Sequence, residues 1–212
     1  AFVLNAIPGD QVDEVIVVDG GSTDATVEIA EALGARVIED DRRGYGQACF
    51  TGTQHTQGEI VVFLDADGAD DPAGIPALVE PLLTSKADMV LGSRLAGSMQ
   101  VGAMPWHQYF GNWLSAGLIR LLYGLRITDL SPFRAVRKRE LLELGMIEMT
   151  YGWPTEMICK AARKNWQIVE LPVAYRPRYG GQSKISGTVR GTVLATYFIL
   201  STIVKYSGIP KQ

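Results

Sequence analysis

The chain has 212 residues, 47% of them hydrophobic and 20% charged, with a formal net charge of −3. That is enough apolar material for one α/β domain with a sizeable core. The slight acidity argues against a nucleic-acid partner, which needs a basic surface. The two cysteines, Cys49 and Cys159, lack metal-ligand spacing and read as reduced cytosolic thiols.

No signal peptide is recognisable at the start, and the late apolar stretch Thr192 to Val204 is too short to span a bilayer. The chain enters in mid-pattern at Ala1-Phe2-Val3-Leu4, which predicts further sequence ahead of it.

Glu14 to Asp19 is a short β-branched run, predicted to be a buried parallel strand. It ends in Asp19-Gly20-Gly21-Ser22-Thr23-Asp24, and helical spacing follows from Thr26 to Leu33. Glycines between a strand and a helix let a ligand approach the backbone, and the helix start favours anions. Asp19 therefore suits a base or ribose, or is a plain loop aspartate with Ser22 or Thr23 capping the helix. Ala35 to Glu39 reads as a second strand. Arg42-Arg43-Gly44-Tyr45-Gly46 then opens a helix to about Gln57, either beside a diphosphate or as an ordinary helix start with solvated arginines.

The chain is organised around the next stretch. The run Glu59 to Leu64 leads into Asp65-Ala66-Asp67-Gly68-Ala69-Asp70-Asp71-Pro72. If the strand continues, Asp65 and Asp67 share one face. Two same-face carboxylates repel unless a cation sits beside them, and a hard divalent ion takes carboxylate and phosphate oxygens together. Asp70 and Asp71 read instead as the turn and cap of the following helix, with proline at its first position, and Asp70 is an outside candidate for a contact to the donor ligand.

Gly74 to Leu83 is predicted helical, and Ala87 to Leu91 is a fourth strand ending in Gly92-Ser93-Arg94. The alternation predicts a mostly parallel sheet with helices on both faces. Ligands of such sheets bind at the carboxyl ends of strands. Asp19, the Asp65/Asp67 pair and Arg94 all fall on that rim, which makes a site the better reading.

After a glycine-containing loop, Trp106 to Tyr123 is predicted helical, with His107 on its first turn as an anion contact or a structural residue. Asp129 to Val136 runs from loop into strand, and Lys138 to Leu144 is a helix. Pro154, Thr155 and Glu156 open another, and Gln167 to Tyr175 is a strand placed near an edge by Pro172. Arg176 to Lys184 combines basic groups, Ser183 and paired glycines into an anion-binding segment, or is a solvated basic loop. The last helix, Ser186 to Tyr206, is apolar around much of its surface, so it packs on the domain, a membrane or a partner chain. Residues 1–185 are therefore expected to form one α/β domain carrying the site, and 186–212 an appended helix.

The motifs Val-Val-Asp-Gly-Gly-Ser-Thr-Asp (17–24), Arg-Gly-Tyr-Gly-Gln-Ala (43–48), Asp-Ala-Asp (65–67), Gly-Ser-Arg (92–94), Thr-Asp-Leu-Ser-Pro-Phe-Arg (128–134) and Arg-Tyr-Gly-Gly-Gln-Ser-Lys (178–184) occur in that order. Together they resemble the family 2 inverting glycosyltransferases of GT-A fold, nearest the dolichyl-phosphate mannosyltransferase and polyprenyl-phosphate sugar transferase branch. The resemblance implies a Rossmann-like three-layer fold and a nucleotide-diphosphate sugar donor of the UDP-glucose or GDP-mannose type. It also implies Mg2+ or Mn2+, and an acceptor that is a lipid phosphate or a small alcohol. By the same resemblance Asp19, Gly20, Ser22, Asp24, Gly44 and Asp65 serve the nucleotide, and Asp67 with Asp65 the metal. Arg94, His107, Arg134, Arg178, Ser183 and Lys184 serve phosphate or acceptor, and Asp129 and Glu156 are the candidate catalytic carboxylates. The implied location is cytoplasmic, with peripheral membrane contact or a homodimer through the last helix.

Two departures stand out. The family's first strand, with its Pro-x-x-x-Glu contact, would precede Ala1. The arginine and serine that lipid-phosphate relatives carry are His107 and Gly111 here. A sugar-nucleotide pyrophosphorylase and a non-catalytic nucleotide-sugar binding module are the competing readings.

Overall fold

The computed structural model of the chain describes residues 1–180 and 189–208. A short helix α1 (Phe2–Ala6) precedes β1 (Ile16–Asp19), α2 (Thr26–Ala32), β2 (Arg36–Glu39), α3 (Tyr45–His55) and β3 (Ile60–Phe63). Next come α4 (Ile75–Leu83), β4 (Met89–Ser93), α5 (Trp106–Tyr123), β5 (Arg134–Arg137), α6 (Lys138–Glu143), α7 (Trp153–Arg163), β6 (Ile168–Pro172) and α8 (Val189–Ser207).

Among the described residues, β1 and β2 form a parallel pair, and the other four strands form a sheet in the order β3-β5-β4-β6. β6 runs parallel to β4, but β5 lies antiparallel to both β3 and β4. Three of these four strands therefore run the same way, as a mostly parallel sheet requires, and β5, running against them, makes the sheet mixed. Hydrophobic periodicity reports which residues are buried and is blind to strand direction. The reversal matters for the site. Arg134 pairs opposite both Phe63 and Leu91, so β5 starts at the rim where β3 and β4 end. The loop before it, which contains Asp129, is thereby delivered to that rim.

Side chains alternate along β4, and each face has its own core. Met89 and Leu91 pack with Ile119, Val136, Trp153 and Met157 under α5, α7 and α8. Val90 packs with Leu78, Leu82 and Phe133 under α4. A sheet covered on both faces explains why β4 is buried throughout. Leu78 and Leu82 are fully buried, each contributing about 1.5–3 kcal/mol of transfer free energy.

α5 ends at Gly124, whose φ of 72° is the left-handed helix stop that glycine adopts without strain. α8 is integrated into the larger core: Ile203 and Tyr206 are buried, and the Tyr123 hydroxyl donates to the Ile203 carbonyl at 2.6 Å. A groove of about 690 Å³ separates β1 from β3 and is lined by Ile16, Val18, Tyr45, Cys49, Val61 and Phe63.

Candidate active site

At the end of β1 the chain turns sharply through Gly21, at φ 88°. The buried Asp19 carboxylate accepts the backbone N–H groups of Gly21 (2.9 Å) and Ser22 (2.8 Å) and the Ser22 hydroxyl. That hydroxyl and the Ser22 amide hold the acid below the usual carboxylate range. Asp19 therefore shapes its own turn. Gly20 is exposed with open space beside it. Asp24 makes a separate turn by accepting from the Thr26 amide at 3.1 Å. Ala25 occupies the N-cap of α2 without a side-chain bond, so neither Ser22 nor Thr23 caps that helix.

β3 stops at Phe63, and Asp65 and Asp67 lie in the turn beyond it rather than on one strand face. Burial pushes the Asp65 carboxyl upward, and the neighbouring Asp67 charge adds to the effect, while the Tyr45 hydroxyl opposes it. Asp67 accepts the Ala69 amide at 2.8 Å and pairs with Arg178 at 2.8 Å. Asp71 accepts the Ala73 amide at 3.2 Å, opens a single 3-10 turn over Pro72–Gly74 and pairs with Arg176 at 2.5 Å.

Asp70 is no turn residue. It is 2% exposed, and its Oδ1 has no hydrogen-bond partner among the described residues. Burial pushes its carboxyl up to about 7; Arg94 favours its charge, while Asp65, Asp67 and Asp129 oppose it. The sequence groups it with Asp71 as turn and cap because Asp71-Pro72 suits a helix start. Its orientation into the carboxylate cluster depends on the bridge it forms with Tyr175, far along the chain.

At the end of β4, Arg94 forks onto the buried Asp129 carboxylate through Nε (2.8 Å) and Nη2 (2.7 Å), and its backbone N–H donates to the same group at 2.8 Å. Burial works against the guanidinium charge, yet the Asp129 carboxylate holds its pKa above the ordinary arginine value. The guanidinium also lies 5.1 Å from the centre of the Tyr175 ring. Three neighbours fix the Asp129 loop. The Ser93 and Thr128 hydroxyls meet at 2.7 Å, Asn112 accepts from the Leu130 amide at 2.9 Å, and Glu170 accepts from the Thr128 and Asp129 amides at 2.8 and 2.9 Å.

Several residues expected at the site lie away from it or are already engaged. Glu156 is fully buried, accepting the amides of Ile147 and Glu148 and the Tyr206 hydroxyl and pairing with Lys160 at 2.8 Å. It ties three segments together and has no side facing the cleft. Arg134 is 1% exposed and donates to the carbonyls of Leu130, Ser131 and Pro154; burial brings its pKa down to about 10. A Cβ on Gly44 would sit 2.1 Å from the Met149 carbonyl oxygen, so this glycine admits protein backbone rather than a ligand. His107 is half-buried against Trp106, with a buried Nε2 that lacks a partner among the described residues. Ser183 and Lys184 lie outside the described residues.

The rim thus gathers Asp65, Asp67 and Asp70 near Arg94, Arg178 and Tyr45. Among the described residues no three acidic, histidine or cysteine side chains form a metal cage. The orphaned Asp70 oxygen and the oxygen-only donor set fit a small hard cation that takes one or two carboxylates and completes its shell with water and phosphate.

Residues 2–145 match Glycosyl transferase family 2. The chain belongs to that family.

This glycosyltransferase is 38% identical over 195 residues to an uncharacterized glycosyltransferase of Mycobacterium tuberculosis, covering 91% of this chain and 86% of the relative. It is 32% identical to a dolichyl-phosphate hexose transferase of Haloferax volcanii, covering 85% of this chain and 77% of that protein. Its fold superposes with a TM-score of 0.75 and 26% identity on glucosyl-3-phosphoglycerate synthase of Mycobacterium tuberculosis, solved with Mn2+, UDP-glucose and phosphoglyceric acid. That match covers 98% of this chain and 74% of the other. The fold is therefore the GT-A type, and the chain is a sugar-transferring enzyme; the pyrophosphorylase and non-catalytic readings give way to it.

Sequence reasoning passed over Glu170 and Tyr175 in this glycosyltransferase. Glu170 reads as one polar residue within a strand and Tyr175 as its last aromatic. The parallel pairing of β6 beside β4 places Glu170, and bridges to Asp70 and Met99 place Tyr175. For Asp70 a signal was present: four carboxylates in seven positions exceed what one turn and one cap require.

Proposed function

We propose that the enzyme moves a hexose, with inversion, from a nucleotide-diphosphate sugar of the UDP-glucose or GDP-mannose type to a phosphate-bearing acceptor. The acceptor is a polyprenyl phosphate presented at the cytoplasmic face of a membrane. The observation that carries this reading is the state of the two expected bases: Asp129 is filled by Arg94, and Glu156 is saturated inside the core. A hydroxyl acceptor needs a base in reach, whereas a phosphate oxygen is already anionic. The lipid-phosphate relative and the soluble phosphoglycerate complex both support a phosphorylated acceptor.

In this proposal Asp65 and Asp67, with Asp70 behind them, hold Mg2+ or Mn2+, which supplies Lewis-acid stabilisation of the departing diphosphate. Asp19, Gly20, Ser22 and Asp24 form the turn that meets the nucleotide. Arg94 stays fixed by Asp129 and points its charge at the reacting phosphates, and Arg178 exchanges its Asp67 contact for a phosphate oxygen. Preorganised cations of this kind lose no reorganisation energy as charge develops.

One observation favours a second reading. The unpartnered Asp70 oxygen, on an acid that titrates near neutral pH, suits a general base for a hydroxyl acceptor.

The test is a transfer assay with UDP-glucose and GDP-mannose, each with Mg2+, Mn2+ or chelator, against polyprenyl phosphate and soluble alcohols. Metal-dependent transfer to the lipid is the expected result. Absence of nucleotide-sugar binding, or binding indifferent to both metal and Asp67→Ala, overturns the proposal. Transfer to alcohols alone, abolished by Asp70→Asn, establishes the second reading instead.

A further inference from the structure

Residues 128–130, which carry Asp129, belong to no strand or helix. The bonds that fix their backbone therefore come from side chains. Asn112 of α5 supplies two of them. Its Nδ2 donates to the Thr128 carbonyl and its Oδ1 accepts the Leu130 N–H, both at 2.9 Å. A carbonyl just before Asp129 and an N–H just after it are the two groups that a residue of a parallel strand would bond. The amide of Asn112 thus stands in for a missing strand neighbour. Glu170 of β6 takes the remaining N–H groups, those of Thr128 and Asp129, at 2.8 and 2.9 Å.

What this clamp places is a single side chain. The Asp129 carboxylate is fully buried and accepts three bonds from Arg94, through its backbone N–H, Nε and Nη2. A planar fork of this kind ties the orientation of the guanidinium to that of the carboxylate. The register of residues 128–130 therefore sets the direction of the Arg94 charge. The two jaws of the clamp are unlike. Glu170 brings a second negative charge beside Asp129, so its removal alters the local field as well as the geometry. Asn112 is neutral, and both of its bonds go to backbone. Its contribution to the pair is geometric.

We propose that Asn112 is a positioning residue for sugar transfer, acting through the backbone of residues 128–130 and the Asp129 carboxylate to aim the Arg94 guanidinium. The inference rests on the reading above that gives Arg94 to the reacting phosphates. Asn112 makes no bond to the Asp19 turn or to Asp65 and Asp67, the groups assigned there to the donor and the metal. Its loss therefore falls on turnover and spares donor binding. A charged group displaced by about 1 Å costs on the order of a hundredfold in rate.

The experiment uses the full chain labelled with 15N-arginine, and reads the Arg94 Nε–H signal, identified by its disappearance in Arg94→Lys. It also reads kcat and KM in the transfer assay and the melting temperature. In wild type the forked Nε–H should exchange slowly with solvent. Asn112→Ala should speed that exchange and lower kcat by roughly a hundredfold, with the donor KM little changed. Asn112→Asp adds a test within one sample. Ionised, its carboxylate still accepts the Leu130 N–H but cannot donate to the Thr128 carbonyl; protonated, it can. Its kcat, taken as a ratio to wild type at each pH, should recover as pH falls through the carboxylate range. Arg94, Asp129, Glu170 and His107 are common to both proteins, so the ratio removes their own titrations. A role in stability alone would lower the melting temperature and leave the folded fraction with a normal Nε–H signal and normal kcat. That result overturns the inference, as does an Asn112→Asp deficit that is flat with pH. If Asn112→Ala does not fold, the Asn112→Asp titration decides by itself. A wild-type protein that transfers sugar from neither donor sinks the transferase reading, and the Nε–H signal then still decides whether Asn112 aims Arg94.

Discussion

Arg94 and Asp129 form a forked ion pair inside the domain, 2.8 Å from Nε to Oδ2 and 2.7 Å from Nη2 to Oδ1, with side-chain exposures of 14% and 0%. The pair joins the end of β4 to the loop that feeds β5. Removing one partner of a buried pair leaves the other charge uncompensated. Asp129→Asn should therefore lower unfolding free energy by about 3–5 kcal/mol, read from urea midpoints. Arg94→Lys keeps the charge but loses the fork. It should lower kcat/KM by roughly a hundredfold while the fold persists.

The free protein should show a pH dependence that belongs to Asp70. Its carboxyl is raised by burial from 3.8 to about 7, so the folded state binds its proton more tightly than the unfolded chain does. That contribution is fully present below the unfolded value and is lost as pH rises through the folded one. Asp70→Asn should remove it. The variant should be more stable than wild type by about 1–3 kcal/mol near neutral pH, with the difference vanishing below about pH 4. Thermal unfolding across that range, with chelator present, provides the measurement.

Glu156 offers a clean separation of stability from chemistry. Four donors converge on it from Ile147, Glu148, Lys160 and Tyr206. Glu156→Gln should cost about 3 kcal/mol by leaving Lys160 without its counter-charge in a buried setting. The turnover of the folded fraction, and its pH profile, should stay close to wild type. A profile that loses its acidic limb would instead restore Glu156 as a catalytic base.

Metal removal and the Asp67–Arg178 contact can be read together. The pair is partly exposed, with side-chain exposures of 19% and 38% for Asp67 and Arg178, so it contributes at most about 1 kcal/mol. Arg178→Ala should leave the melting temperature nearly unchanged and raise the KM for donor or acceptor. Asp67→Asn should abolish the response of activity to added Mg2+ or Mn2+, measured by titration after chelator treatment.

Much of the site was legible because strand ends betray themselves locally. An apolar run that stops in Asp65-Ala66-Asp67, or in Gly92-Ser93-Arg94, marks the rim of a sheet without any knowledge of the fold. The residues that the structure engages in the interior share another cause. Glu156 and Arg134 sit in the same kinds of pattern as a functional carboxylate and a phosphate-binding arginine. Whether such a group faces a cleft or a ring of backbone partners depends on segments distant in sequence, such as Tyr206 for the one and Pro154 for the other. Asp70 runs in the opposite direction: local turn chemistry accounts for it in the sequence, and its burial comes from a distant segment.

Family membership, the α/β alternation and the placement of Asp19, Asp65, Asp67 and Arg94 at strand ends were determined by sequence alone, because they rest on short-range pattern and spacing. The tertiary structure decided three things that pattern does not carry. It reversed β5 and so brought Asp129 under Arg94. It turned Asp70 inward by pairing its backbone with Tyr175. It also left the aromatic side of α5 exposed among the described residues. Each depends on which distant segment arrives as a neighbour, and burial and pairing then set the charge state and partners of a side chain that its own sequence surroundings leave open.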